Sequence, residues 1–286
     1  GFESHPGHQT AETSTFSHVF AFVIKFMAKT HHEIFEDLLH EAKTDDNIIG
    51  FFPGGSRGKG YENELSDYDL SMIVKDDVVE EYKKKFEERE LPEIDLSIMS
   101  LSEFSEYAQW QSDMHWDRYD FTHVQALVDK TGGEIQKFID EKGSIPKDKR
   151  DQFINGSIDA YMNGFFRSVK SYRKKDAVGV RLESAASIPY LLNALFALYD
   201  RATPFANYLT RELKRRPLDK FPWSSKKLLE ALLQILENGD LKIQQELAKT
   251  VENTFRKEGY GKVFDNWEGK DKWAMNFESD FKADKI

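Results

Sequence analysis

A glycine turn between two apolar segments constrains the fold of this chain more than any other feature. The apolar residues 48–52 precede the turn, Gly54-Gly55-Ser56 forms it, and the apolar residues 70–74 follow after a short spacer. Because glycine has no Cβ, backbone N–H groups in such a turn can approach a phosphate closely. The pattern predicts two buried strands on either side of a phosphate-binding turn.

Two aspartates precede the second apolar segment. Asp67 and Asp69 are two residues apart, so on a strand their side chains project from one face. Paired carboxylates suit Mg²⁺, which takes oxygen ligands and shares its shell with substrate phosphates. The alternative is a glycine hairpin with two solvent-facing aspartates. We favour the metal site, because unpaired carboxylates at the edge of a buried sheet are costly unless they hold a cation.

The order Gly55-Ser56, spacer, Asp67-x-Asp69 resembles the signature of the nucleotidyltransferases of the polymerase β superfamily. The resemblance implies that Asp67 and Asp69 bind two Mg²⁺ ions while an acceptor attacks the α-phosphorus of a nucleoside triphosphate. In this superfamily a third acid commonly lies on the next strand. Asp95, within the alternating residues 94–98, occupies that place; its alternative is a strand residue that points to solvent.

The same resemblance implies roles for the turn itself. Gly55 and Ser56 hold the β- and γ-phosphates through a backbone N–H and a hydroxyl, and Arg57 adds positive charge near the triphosphate. Arg57 is otherwise a solvated loop residue, and we assign Lys59 no role.

The chain divides at Gly143-Ser144-Ile145-Pro146, where an α/β pattern gives way to wide apolar stripes at helical spacing. We predict an α/β (α+β) nucleotidyltransferase domain with a mixed sheet at 14–145, followed by an all-α helical bundle domain at 146–286. Residues 1–13 are predicted to be a disordered tail.

Local patterns add finer expectations. Apolar residues at helical spacing predict helix over 16–27, and a densely charged stretch predicts an exposed helix over 76–90. We also expect helix over 103–116, a strand over 122–129, and a kink or interruption at Pro189.

Arg181 and Glu183, early in the second helix of the bundle, resemble a motif of the lincosamide and aminoglycoside (kanamycin-type) nucleotidyltransferases. That resemblance implies that Glu183 takes the proton from an acceptor hydroxyl. Kanamycin-type enzymes carry a lysine one turn later, where this chain has Ser187, so another cation or another acceptor is required. The alternative for Glu183 is a capping acid at a helix start. Kanamycin-type enzymes form dimers in which one subunit helps to complete the site of the other. The resemblance is therefore compatible with a homodimer, in which Glu183 serves either its own site or that of the neighbouring subunit.

Composition excludes several classes of function. The chain of 286 residues has 40 Lys and Arg against 50 Asp and Glu, for a net charge of −10. We therefore expect no binding to duplex nucleic acid. It has no cysteine, which excludes disulfides, thiolate zinc sites and cysteine nucleophiles. No stretch is long and apolar enough to span a membrane, and we expect a cytoplasmic protein.

These features favour an Mg²⁺-dependent enzyme that transfers a nucleoside monophosphate, AMP from ATP, to a hydroxyl of a small molecule such as an aminoglycoside- or lincosamide-like compound. One alternative is transfer to a protein or tRNA end, and the negative net charge argues against tRNA. The other is an inactive nucleotide-binding or interaction module. Degenerate members of the superfamily typically lose one acid of the pair, whereas Asp67 and Asp69 are both present.

Overall fold

A mixed sheet forms the first part of the protein. The structure, a computed structural model, describes residues 29–283. Within them the strands are β1 Ile48–Pro53, β2 Tyr68–Val74, β3 Ile94–Ser100 and β4 Val128–Asp129, in the order β3-β2-β1-β4. Strand β1 runs antiparallel to β2 and β4, and β2 and β3 are parallel. The predicted mixed sheet is confirmed.

Helices make up most of the remaining described chain. They are α1 His31–Thr44, α2 Gly55–Gly58, α3 Val79–Glu87, α4 Leu101–Glu106, α5 Glu134–Lys142, α6 Lys147–Lys174, α7 Ala177–Ala197, α8 Ala206–Arg215, α9 Ser225–Asn238, α10 Leu241–Lys257, α11 Gly261–Asp265 and α12 Lys270–Asn276, with 3₁₀ helices at Asp76–Val78 and His115–Phe121. The predicted helical C-terminal part is confirmed.

Apolar side chains cover the sheet on both faces. Phe51 and Met72 belong to one buried cluster, together with residues of α1 and α3. Phe52 and Ile73 belong to a second, with Phe104 of α4 and residues of α5. Because neighbouring strand residues enter different clusters, β1 and β2 are buried on both faces, as their continuous apolar runs indicate. This double burial fixes the register that positions the site.

The helical part has its own hydrophobic core, whose fully buried members all lie at Ile145 or beyond. Its two longest helices approach closely where a Cβ on Gly164 of α6 would lie 2.7 Å from the Cβ of Ser187 of α7. The boundary between residues 145 and 146 as a domain division stays a prediction.

Three local expectations need correction. Helix α4 ends at Glu106 rather than reaching residue 116, because Ala108 and Gln111 have positive φ angles that a helix cannot contain. Only Val128–Asp129 pairs within the predicted strand over 122–129, since His123 also has a positive φ. Helix α7 continues through Pro189, so the helix is not interrupted there, whereas a kink at Pro189 stays a prediction.

Two other expectations have different outcomes. The predicted charged helix over 76–90 is present as the 3₁₀ helix Asp76–Val78 followed by α3. The predicted helix over 16–27, like the predicted tail at 1–13, lies outside the described residues.

Candidate active site

Strand register brings two of the predicted metal-binding carboxylates together. Asp69 on β2 pairs laterally with Asp95 on β3, so the two side chains stand on the same face of neighbouring parallel strands. Asp67 immediately precedes β2 and is two residues from Asp69. Sheet pairing therefore brings Asp95, which is remote from the other two acids in the sequence, next to Asp69.

The carboxylates of Asp67, Asp69 and Asp95 receive no hydrogen bond from the described residues. Among residues 29–283, no group donates a hydrogen bond to the side-chain carboxylate of Asp67, Asp69 or Asp95, and none forms an ion pair with these carboxylates. Asp67 and Asp95 are exposed and Asp69 is half-buried. Burial, followed by the charges of Asp67, Asp120 and Asp95, raises the pKa of Asp69. The region thus carries negative charge that the described residues leave largely uncompensated.

The residue types present fit a hard divalent cation, although the side chains do not form a finished cage. No group of three or more His, Cys, Asp or Glu side chains in the described part of the chain is close enough together to hold a metal ion. Mg²⁺ does not need such a cage, because it keeps several waters and is bound through one or two carboxylates plus substrate phosphates. Asp67, Asp69 and Asp95 are the residues that could hold it.

Positions 54 and 55 require glycine, because a side chain at either position would overlap a neighbouring carboxylate. Gly55 has φ +51°, and a Cβ there would lie 1.7 Å from Oδ2 of Asp69. A Cβ on Gly54 would lie 2.6 Å from Oδ2 of Asp120. The Gly55 N–H donates to Oδ1 of Asp120 at 3.0 Å. The amide that the sequence assigns to a phosphate is therefore engaged by a side chain of the protein.

The next two residues of the turn differ in what they offer to a ligand. Ser56 is half-buried, and its hydroxyl has no hydrogen-bond partner in residues 29–283. The guanidinium of Arg57 donates to the carbonyls of Ser66 at 2.7 Å and Asp67 at 2.8 Å, and lies 3.7 Å from the centre of the Tyr68 ring. Arg57 thus holds the loop that leads into β2, whereas Ser56 is free to bind.

Lys59 and Asp120 form a pair that sequence analysis missed. The side chain of Lys59 is fully buried, and its Nζ donates to Oδ1 of Asp120 at 3.0 Å and to the carbonyls of Asp120 at 2.6 Å and Gly55 at 3.3 Å. It lies 5.3 Å from the centre of the Tyr119 ring and 5.9 Å from that of Tyr208. The position of Lys59 beside the glycine turn was a usable signal, but nothing local marked Asp120.

A cavity of about 430 Å³ opens beside these residues. Its floor is the glycine turn with Asp69 and Asp95, and its walls come from the 3₁₀ helix His115–Phe121, from Tyr107 and from the start of α8. The residues of these walls are Tyr107, Asp117, Asp120, Phe121, Phe205, Asn207 and Tyr208. The cavity therefore combines an acidic floor with aromatic walls.

Asp117 and Tyr107 pair on one wall of this cavity. The Tyr107 hydroxyl donates to Oδ2 of Asp117 at 2.8 Å. Burial raises the pKa of Asp117, and the negative charge of the neighbouring Asp120 raises it further. The hydrogen bond from Tyr107 lowers this pKa, but by less. Neither residue stood out in the sequence: Tyr107 lies in the stretch 103–116 that was expected to be helical, and no local pattern marked Asp117.

Glu183 is not among the residues that line the cavity. It lies on α7, where its carboxylate forms an ion pair with Nη2 of Arg167 at 2.6 Å. Ser187, where kanamycin-type enzymes have a lysine, is buried and its hydroxyl donates to the Ser184 carbonyl at 2.7 Å. The structure does not bring Glu183 to the Asp69 cavity of its own chain, and a role in a neighbouring subunit's site stays a prediction.

Buried Glu212 joins the helical part to the site. Its carboxylate accepts hydrogen bonds from the hydroxyls of Tyr61 at 2.5 Å and Tyr119 at 3.2 Å, pairs with His123 Nε2 at 3.1 Å and with Arg201 Nη2 at 2.6 Å. Burial alone would raise the pKa of Glu212, but the hydrogen bonds from His123, Tyr61 and Arg201 outweigh it and hold the pKa far below its ordinary range. This network fixes α8, and with it one wall of the cavity.

None of the helices within residues 29–283 has the length and apolar composition required to cross a membrane. This finding agrees with the hydropathy of the sequence.

Comparisons with known proteins add little to this geometry. No protein-family profile matches the chain, and no curated protein matches it. A crystal structure of a nucleotidyltransferase-like protein from Exiguobacterium sibiricum matches with a TM-score of 0.39 and 10% sequence identity, over 84% of this chain and 76% of that chain. This degree of similarity is too low to define a function.

Proposed function

We propose that this protein is an Mg²⁺-dependent nucleotidyltransferase that moves a nucleoside monophosphate, AMP from ATP, to a hydroxyl of a small molecule in the cytoplasm. One observation carries the proposal. Asp69 and Asp95 lie side by side on neighbouring strands next to a glycine turn, Asp67 is two residues before Asp69, and none of the three carboxylates has a hydrogen-bond donor or cation among the described residues. The half-buried Asp69 carboxylate, with two further carboxylates near it, is costly to keep ionised unless a cation joins it.

Each residue of the site has a part in the proposed reaction. Asp67, Asp69 and Asp95 would hold the divalent cations, which neutralise charge on the attacking and leaving oxygens. The free Ser56 hydroxyl donates to a phosphate oxygen of the triphosphate. The acceptor oxygen forms a bond to the α-phosphorus as the bond to pyrophosphate breaks, and the hydroxyl proton passes to a base.

The cavity supports a small acceptor. Its volume of about 430 Å³ lies within the range for sites that enclose small molecules. Aromatic residues Tyr107, Phe205 and Tyr208 provide flat apolar surface for a ring, and the acidic floor suits a cationic group. An aminoglycoside- or lincosamide-like compound meets both requirements. Since Glu183 does not line this cavity, its proposed role as the base requires a second subunit.

Thermal unfolding with nucleotides tests the proposal. We would measure the melting temperature with ATP, GTP, CTP and UTP, each with and without Mg²⁺, for the natural chain and for the Asp67→Asn, Asp69→Asn double variant. A ligand that binds only the folded state raises the melting temperature. At a ligand concentration of one hundred times the Kd, the free energy of unfolding rises by about 2.7 kcal/mol. We expect an Mg²⁺-dependent rise, greatest with ATP, that the double variant loses.

The matched control removes two carboxylates elsewhere. Asp46 and Asp77 are exposed and neither is hydrogen-bonded through its side chain in the described residues. The Asp46→Asn, Asp77→Asn variant should keep the full nucleotide shift. If no nucleotide shifts the natural chain, the protein is not a nucleotidyltransferase. A shift without release of pyrophosphate when acceptors are added would identify a nucleotide-binding module instead.

A further inference from the structure

A carboxylate fills the space over the glycine turn. Oδ2 of Asp120 lies where Gly54 lacks a Cβ, and Oδ1 of Asp120 accepts the Gly55 N–H at 3.0 Å. An unhindered backbone and a free amide are what such a turn offers to an oxyanion. Here the Asp120 carboxylate lies in the space beside Gly54 and accepts the Gly55 N–H.

Lys59 supplies the positive charge at this position. Its side chain is fully buried, and Asp120 is the one carboxylate within ion-pair distance of its Nζ in residues 29–283. The remaining partners of Lys59 are two carbonyl oxygens and the faces of two tyrosine rings, none of which carries a formal charge. A buried ammonium is strongly destabilising without an anion beside it. Lys59 therefore always requires an anion, but the anion need not be Asp120.

Asp120 is placed so that it can be replaced. Its side chain is 29% exposed, whereas that of Lys59 is 0% exposed, and Asp120 lines the cavity. A ligand that enters the cavity meets the Asp120 carboxylate before it meets the ammonium. Substitution of one anion for another leaves the charge of Lys59 compensated throughout and breaks no covalent bond.

We propose that the Lys59 ammonium and the Gly55 amide form a binding site for a phosphate oxyanion, and that the Asp120 carboxylate occupies this site until a phosphate-bearing ligand displaces it. The inference rests on the proposed function, which supplies the triphosphate as that ligand. It adds a cation that the proposed function does not use and an internal competitor that lowers the affinity of the ligand-free protein for phosphate.

Inorganic tripolyphosphate, titrated calorimetrically without divalent cations, tests the inference. The Asp120→Asn variant keeps Lys59 and the Gly55 amide but loses the competing charge. We expect it to bind tripolyphosphate at least about tenfold more tightly than the natural chain, because a charge-assisted contact is freed for the ligand. An unchanged or weaker affinity would overturn the inference and make Asp120 a structural anchor.

The Asp117→Asn variant is the matched control. It removes one negative charge from the same cavity, but Asp117 forms no hydrogen bond or ion pair with Lys59 or Gly55; its side-chain partner is Tyr107. The loss of one negative charge from the cavity weakens the electrostatic repulsion of an anionic ligand, which should raise the affinity for tripolyphosphate by about threefold or less. Equal gains in the two variants would show that Asp120 acts only through its charge, and the inference would fail.

A double variant and a direct measurement guard against misfolding. Lys59→Met with Asp120→Asn removes the buried pair together, which proteins often tolerate, and it should lose the gain seen with Asp120→Asn alone. A retained gain would exclude Lys59 as the phosphate-binding cation. In the natural chain, saturating tripolyphosphate should move the amide resonance of Gly55, and an unmoved resonance would likewise contradict the inference.

These outcomes separate the two proposals. A nucleotide shift that depends on Mg²⁺, together with no gain in Asp120→Asn, would leave the proposed function in place and remove the inference. A gain in Asp120→Asn without any nucleotide shift would identify a phosphate site in a protein of another function.

Discussion

At the scale of single residues, Gly55 and Asp69 depend on each other. Gly55 adopts φ +51°, and its missing Cβ leaves the space that Oδ2 of Asp69 fills. The turn and the carboxylate therefore form one unit. A side chain at residue 55 would both strain the backbone and displace the Asp69 carboxylate.

The Gly55→Ala variant should lose about 2–4 kcal/mol of unfolding free energy, from the left-handed backbone and the overlap with Asp69. Urea unfolding measures this loss. The control is Gly132→Ala, at φ +78° with no atom within 4 Å of the new Cβ. It should cost only the backbone part, about 1–2 kcal/mol. Equal losses would mean that the contact with Asp69 carries no energetic weight.

The sequence singled out some residues of the candidate site and not others. Gly55, Ser56, Asp67 and Asp69 lie within one short segment, so their spacing indicated a shared site, and the alternation around Asp95 added one neighbouring strand. The contact between Lys59 and Asp120 joins residues 61 positions apart. Such a contact follows from how the chain folds back in three dimensions, which no local pattern in this sequence reports.

At the scale of elements, apolar runs predicted β1, β2 and β3, whereas backbone geometry caused the errors. Helix was expected over 103–116 because apolar and helix-forming residues recur there, yet Ala108 and Gln111 turn left-handed after α4. These turns place Tyr107 and Asp117 at the cavity. The element whose structure was least predictable from local pattern therefore forms a wall of the candidate site.

Helices α6 and α7 provide a test of close packing. Gly164→Ala would place a Cβ 2.7 Å from that of Ser187 and 3.3 Å from the Glu183 carbonyl, so we expect a loss of about 1–3 kcal/mol. Gly156→Ala on the same helix meets no atom within 4 Å and should gain about 0.5–1 kcal/mol from helix propensity. Chemical denaturation of the two variants distinguishes them by sign. A stabilised Gly164→Ala protein would contradict the close contact.

At the scale of the whole molecule, Glu212 links the helical part to Tyr61, Tyr119 and His123 in the first part of the chain. Glu212→Ala should lower the unfolding free energy by about 3–5 kcal/mol, because it leaves Arg201 without its carboxylate in a half-buried setting. The control Glu230→Ala removes an exposed pair with Lys226 and should cost about 1 kcal/mol or less. Denaturant titration of both variants checks the difference, and similar costs would contradict a role for Glu212 as a link.

The lowered pKa of Glu212 also predicts a pH dependence. In the folded state this carboxyl binds a proton less readily than in the unfolded chain, where its ordinary pKa is 4.5. Its stabilising contribution is therefore fully present above that value and is lost as the pH falls from it toward the folded pKa. Unfolding free energies of the natural chain should decline below pH 4.5 more steeply than those of Glu212→Gln. Parallel declines would show that the pKa is not lowered.

The lateral pairing of Asp69 with Asp95 makes the candidate site depend on the register of an edge strand. A slip of β3 by one residue against β2 would turn every β3 side chain to the opposite face, so Asp95 would leave the cavity and enter the apolar cluster under the sheet. A slip by two residues would keep the faces and place Ser97 beside Asp69 instead. The first slip exposes the apolar face of β3, whereas the second preserves the pattern of buried residues without the second carboxylate. A loss of chemistry with the sheet intact thus requires only a two-residue slip of one edge strand.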